Sequence, residues 1–276
     1  MKLTFQRSTP SRALRQPLRD PFPQIENIHV GAAYRGARVG GDFFDFARCG
    51  DARLLLLLFD IAGKRDEALD IAAAVQDVFR GAADLFAEPT LNEAVALSHL
   101  VLDLNRAILA AAGGVRCSPG FIACYNDALG TLCYINAGHT PALVRDSSGI
   151  FHLEPNGLPL GLFSHATHDA SMCVLEPGAT LLLVSRGLAE VRAGRDEFGI
   201  ARARQYLQQA NGVDPQQLCR DLIENVRGFV ENGGAGGLLS KVARNNFHSQ
   251  EDPLAKNDIT SVALARGARA QAAVAQ

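Results

Sequence analysis

Two aspartates stand out for their settings. Asp42 follows a glycine pair in Gly40-Gly41-Asp42-Phe43-Phe44-Asp45, and Asp60 ends the apolar run from Leu54 to Phe59. Glycines let the backbone approach a ligand closely. Asp60 is followed by Ile61-Ala62-Gly63-Lys64, so an apolar strand aims its carboxylate while the turn exposes backbone carbonyls. Oxygen donors of this kind suit hard cations, Mg²⁺ or Mn²⁺. Spacing alone serves a pair of turn-capping aspartates equally well, and both readings stand at this level. Two further singular spots are Ala137-Gly138-His139 and Asn257-Asp258-Ile259-Thr260.

The elements that must carry these residues follow from hydrophobic periodicity. Segments 28–35, 43–49 and 53–59 read as strands. Residues 66–86 place Ala68, Ile71, Ala72, Val75, Val78 and Phe79 at helical spacing, and a second helix is predicted over 91–111, between Pro89-Thr90 and Gly113-Gly114. Strands return at 121–125, 131–136, 142–145, 150–153, 171–175 and 180–185, separated by turn sequences such as Asp146-Ser-Ser-Gly149. Two helices fit 198–210 and 215–230, and a last strand fits 259–264. This order is that of antiparallel sheets covered by helices, not of alternating βαβ units.

Composition bounds the rest. The 276 residues are 47% hydrophobic and 20% charged, with a formal net charge of -2. That is globular composition, with no bulk positive field to recruit nucleic acid. No run of about 18 consecutive apolar residues is present, so no membrane span is expected. Six cysteines, at 49, 117, 124, 133, 173 and 219, form no C-x-x-C pair and are too sparse for a disulfide scaffold. They read as buried apolar side chains in a reducing compartment, and a cytoplasmic location is expected. Residues 1–27 are expected to form a flexible basic arm, with Lys2, Arg7, Arg12, Arg15 and Arg19 unopposed by acids over the first 19 positions. Residues 28–266 form the expected domain, 231–256 a mobile, Gly- and Asn-rich insertion, and 267–276 a tail.

Taken in order, the motifs resemble the SpoIIE-like branch of the metal-dependent protein serine/threonine phosphatases, the PPM family. The matching text is GGDFFDF at 40–46, FDIAGK at 59–64, NAGHTPALV at 136–144 and GLPLG at 157–161. It continues with LEPGATLLLVSRGLAEV at 175–191, EFG at 197–199 and NDIT at 257–260. The resemblance implies an α+β fold: a four-layer αββα sandwich of two mainly antiparallel sheets, with the active site at one edge. It implies hydrolysis of phosphoserine or phosphothreonine on a small regulatory protein, of which an anti-sigma-factor antagonist is one kind, by metal-activated water. Carried across by position, Asp42 and Asp60 are the catalytic metal ligands, the backbone carbonyl of Ile61 is a third, and Asp258 is a weak candidate. His139 reads as a turn residue rather than a general acid.

The departures from the family pattern are as informative. Where the family has T-D-G, this chain has Ser185-Arg186-Gly187, and where it has D-D-I-T, this chain has Asn257-Asp258-Ile259-Thr260. Arg65 also replaces a turn glycine. At the four ligand positions the side-chain charge is -1 instead of -4, so Mn²⁺ or Mg²⁺ is expected to bind weakly or with partial occupancy. Arg186 is a possible phosphate contact through its planar fork. Two functions follow: a weak or one-metal phosphatase, or a pseudophosphatase that binds a phosphoprotein or regulator without hydrolysis.

Overall fold

The computed structural model describes residues 22–36, 41–61, 63, 65–233, 254 and 258–267. Of the sequence features above, Gly40, Ala62, Lys64 and Asn257, the basic stretch 1–21, most of 231–256 and the tail from 268 lie outside the described residues. Two five-stranded antiparallel sheets face one another. The first has the order β1 (Ile28–Arg35), β12 (Ile259–Arg266), β9 (Thr180–Val184), β6 (Ala142–Asp146), β7 (Gly149–Leu153). The second runs β2 (Asp42–Cys49), β3 (Arg53–Asp60), β4 (Gly120–Asn126), β5 (Thr131–Ala137), β8 (Ser171–Val174). Helices α1 (Arg65–Gly81), α2 (Ala83–Phe86) and α3 (Glu93–Ala112) cover the second sheet. Helices α4 (Arg186–Ala189), α5 (Gly199–Gln209) and α6 (Pro215–Glu231) cover the first. A short hairpin, β10 (Arg192–Ala193) and β11 (Asp196–Glu197), lies between α4 and α5.

Strand alternation sorts the apolar side chains into these layers. In β3, Leu54, Leu56 and Leu58 enter the core between the sheets, while Leu55, Leu57 and Phe59 meet α1 and α3. Both faces are buried, which is why the run is continuously apolar rather than alternating. Helix α3 is long and apolar enough, on length and composition, to cross a membrane. Its Leu97, Leu100, Val101, Leu104 and Ile108 are nevertheless buried against the second sheet, so it serves as a core helix here. Asn92 caps its start, accepting from the Val95 amide, and Gly113 ends it in the left-handed conformation. Helix α6 packs so closely on β1 that a Cβ on Gly31 would lie 2.3 Å from its backbone. Gln216 of α6 donates to and accepts from the Ala32 backbone, occupying part of that sheet edge.

The packed domain extends beyond the expected limits at two points. Ile25 is buried and the Phe22 ring packs edge-on against Phe46, so the last residues assigned to the arm belong to the core. Leu254, inside the expected insertion, is buried with the helices of the first sheet.

Helix α1 is tied to the second sheet by charge. Asp45, 1% exposed, receives both Nε and Nη2 of Arg80 at 2.6 and 2.5 Å, with Gln76 adding a third bond. Removing one partner of such a buried pair leaves an uncompensated charge, whereas removing both does not. Arg80→Met should cost roughly 3–5 kcal/mol in urea unfolding, and Asp45→Leu in the same chain should recover most of that loss. A double variant no more stable than the single one would show that the pair does not carry the effect.

Candidate active site

The antiparallel register sets Asp42 directly opposite Asp60 at the joined end of β2 and β3. Both continue the face that packs between the sheets: Asp42 precedes Phe44 and Phe46, and Asp60 follows Leu54, Leu56 and Leu58. The opposing sheet ends alike. Ser185 follows Leu181 and Leu183 on the same face, and Thr260 precedes Val262 and Leu264. The inter-sheet core therefore terminates in a polar layer of two carboxylates and two hydroxyls. Asp45, three residues from Asp42, points to the opposite face and is committed to Arg80, so it is no substitute ligand.

Hydrogen bonds fix this layer. Thr260 Oγ1 donates to Asp42 Oδ2 at 2.6 Å, and the Ile61 amide donates to the Gly41 carbonyl at 2.7 Å. Asp258 Oδ2 accepts from the Gly41 amide at 2.5 Å and Oδ1 from the Tyr34 hydroxyl at 3.0 Å, so the carboxylate ties the Gly41 loop to β1. The Asp42 carboxyl is pushed up to about 8. Burial dominates, the hydroxyls of Thr260 and Ser185 pull it back, and the neighbouring charges of Asp60 and Asp258 add to the rise. A carboxyl withdrawn from water beside two others is short of positive charge.

One cation does reach the site. Arg186 Nε donates to Asp60 Oδ2 at 3.0 Å, with the guanidinium more than half exposed. The sequence placed Arg186 just beyond a strand reaching Ser185. The strand in fact stops at Val184, and Ser185 opens the one-turn helix α4, which carries Arg186 at its first position.

The residues fit an oxygen-bound cation in part. A Cβ on Gly41 would sit 3.0 Å from the Ile61 carbonyl oxygen, 3.9 Å from Asp60 Oδ1 and 3.9 Å from Asp258 Oδ2, so three oxygens converge on a spot that only glycine leaves open. Asp60 Oδ1 accepts no hydrogen bond from the described residues. Yet among the described residues no group of three His, Cys, Asp or Glu side chains forms a ready metal cage. The donors gathered here are oxygens, the kind that hard divalent cations prefer.

His139 belongs to a separate hydrogen-bonded turn. It is buried, its amide donates to Asn136 Oδ1 at 2.9 Å, and its Nδ1 lies 3.1 Å from Thr140 Oγ1, which in turn donates to the Val184 carbonyl. Nε2 has no partner among the described residues. Burial pushes the imidazole down to about 4, so it is neutral at pH 7.

The fold is the two-sheet sandwich of PP2C-type phosphatase domains. The phosphatase domain of SpoIIE from Bacillus subtilis, solved with a fragment of its regulatory domain, superposes with a TM-score of 0.63 at 16% identity, covering 87% of this chain and 63% of that one. The RsbU and RsbW domains of Rv1364c from Mycobacterium tuberculosis superpose with a TM-score of 0.68 at 23% identity, covering 89% and 62%. Residues 50–236 match the family described as Stage II sporulation protein E (SpoIIE), and the chain belongs to that family. Protein IcfG of Synechocystis sp. is 24% identical over 202 residues, and the phosphoserine phosphatase RsbU of Bacillus subtilis is 22% identical over 207 residues. These matches take in 64% and 74% of this chain but only 31% and 59% of those proteins.

The depressed His139 value carries a pH signature. The unfolded imidazole takes up a proton below about 6.5 while the folded one resists until about 4, so stability present above 6.5 is lost as pH falls through that window. The His139 contribution to unfolding free energy should drop by about 2 kcal/mol between roughly pH 7.5 and pH 5, opposite in sign to that of the raised Asp42 carboxyl, so it is read as the difference in slope between wild type and His139→Gln. An unchanged slope in the variant would assign it to other groups.

Proposed function

We propose that this chain hydrolyses phosphoserine or phosphothreonine on a regulatory protein, using a divalent-cation site reduced to a single position. The observation that carries this reading is the cross-strand Asp42–Asp60 pair with the Ile61 carbonyl converging at Gly41, inside a SpoIIE-family sandwich. Lewis-acid charge and activation of water for attack on phosphorus are what a bound Mn²⁺ or Mg²⁺ supplies. Asp42, Asp60 and the Ile61 carbonyl would hold it. Asp258 holds the loop that shapes the cradle, and its part as a ligand is the weakest of the set. Arg186, exposed over half its side chain, is held to Asp60 through Nε, and among the described residues its Nη groups have no partner, which leaves them to grip a phosphate. RsbU is by name a phosphoserine phosphatase, which supports a phosphoprotein substrate such as an anti-sigma-factor antagonist.

The Arg186–Asp60 pair favours a second reading. A guanidinium stays charged at neutral pH and competes with any cation for Asp60. In that case the site is a phosphoprotein-binding pseudophosphatase.

Turnover of a phosphoserine peptide across a Mn²⁺ titration separates the two. Slow, Mn²⁺-dependent phosphate release that falls to background in Asp60→Asn is the expected result. Peptide binding without release, unaffected by Mn²⁺, would establish the binding module instead. Arg186→Asp should tighten Mn²⁺ by about tenfold or more, because each charge changed at contact distance is worth on the order of 1–4 kcal/mol. Unchanged affinity would mean that Arg186 does not govern the cleft.

A further inference from the structure

Asp42 sits on β2, an outer strand of its sheet, with no further strand hydrogen-bonded beyond it among the described residues. Its side chain is instead met from the opposite sheet. Thr260, fully buried, lies on β12, which is flanked on both sides by β1 and β9. Its backbone is locked to Ser185 in both directions: the Ser185 amide donates to the Thr260 carbonyl at 2.9 Å, and the Thr260 amide donates to Ser185 Oγ at 3.1 Å. The β-branched side chain has few rotamers open to it, and the one adopted sends Oγ1 to Asp42 Oδ2 at 2.6 Å. Ser185 is also fully buried. A hydroxyl donated to one carboxylate oxygen fixes the plane of the carboxylate and hence the aim of the other oxygen. Outer-shell bonds of this kind tune metal ligands.

We propose that Thr260 is a positioning residue for Asp42, bracing the cation-facing carboxylate across the two sheets with Ser185 as its support. The proposal rests on reading this edge as a divalent-cation site. A purely structural hydrogen bond would affect folding stability alone, whereas a positioning bond also affects cation affinity and depends on the hydroxyl rather than on side-chain volume.

The test is calorimetric titration of the full chain with MnCl₂, comparing wild type with Thr260→Val, Thr260→Ser and Ser185→Ala. Thr260→Val keeps the shape and loses the hydroxyl. It should raise the Mn²⁺ dissociation constant by about 10- to 100-fold, with Thr260→Ser close to wild type. If Thr260→Val binds as tightly as wild type, or Thr260→Ser fails to restore binding, the positioning role is overturned while the site reading stands. If wild type binds no Mn²⁺, the site reading falls and the proposal with it. Should Thr260→Val not fold, Ser185→Ala, which removes the hydroxyl that supports Thr260 and itself reaches Asp42, reads the two-hydroxyl brace as a unit. A several-fold loss there supports the proposal, and wild-type affinity overturns it.

Discussion

The arrangement depends on one register: Asp42 opposite Asp60, where the apolar strands β2 and β3 end together. Cross-strand neighbours in an antiparallel pair stand only about 4.5–5.5 Å apart, so two carboxylates there repel unless a positive charge intervenes. The strands cannot slip to relieve this. A one-residue shift of β2 would turn Phe44 and Phe46 out of the inter-sheet core and carry Asp45 into it, away from Arg80. Hydrophobic packing along the strands thus holds an electrostatically unfavourable pair at their tip. Arg186 answers that charge from α4, and a divalent cation would answer it more fully.

The same division of labour recurs in the helix layers. Apolar burial sets which face of each helix meets the sheet, and buried guanidiniums fix where it lies. Arg53 bonds Glu93 and the carbonyls of Phe86, Glu88 and Pro89, pinning the α2–α3 turn to β3. Arg145 donates to the carbonyls of Leu207 and Ala210 at the end of α5 and to Thr180. Such groups are costly to bury without partners, so each is well supplied with acceptors. At the site edge the logic reverses: carboxylates outnumber their cations.

Much of this was legible in the sequence because it is local. The apolar run at 53–59, the helical spacing at 66–86 and the glycine turn after Asp60 each report on their own segment, and the layered sandwich followed from the resemblance. What remained hidden depends on contacts remote in the chain. Nothing near Asp45 signals that Arg80 will take it, and nothing near Asp258 signals that Gly41 and Tyr34, more than two hundred residues away, will bond its oxygens. Ser185 reads as the end of a strand because its hydrophobic context runs to Val184, and only the turn into α4 reveals its place in the polar layer. Thr260 lay inside the NDIT motif, yet its role was overshadowed by the acid that the motif lacks. The alternation that puts Asp42, Asp60, Ser185 and Thr260 on one face was itself a period-two signal that could have found them.

The central claim is that this edge accepts one divalent cation rather than two. Anomalous diffraction from crystals soaked in Mn²⁺ reads it most directly. A single peak bounded by Asp42, Asp60 and the Ile61 carbonyl is the expected result. Two peaks of equal height bridged by Asp60, or no peak at this edge, would contradict it.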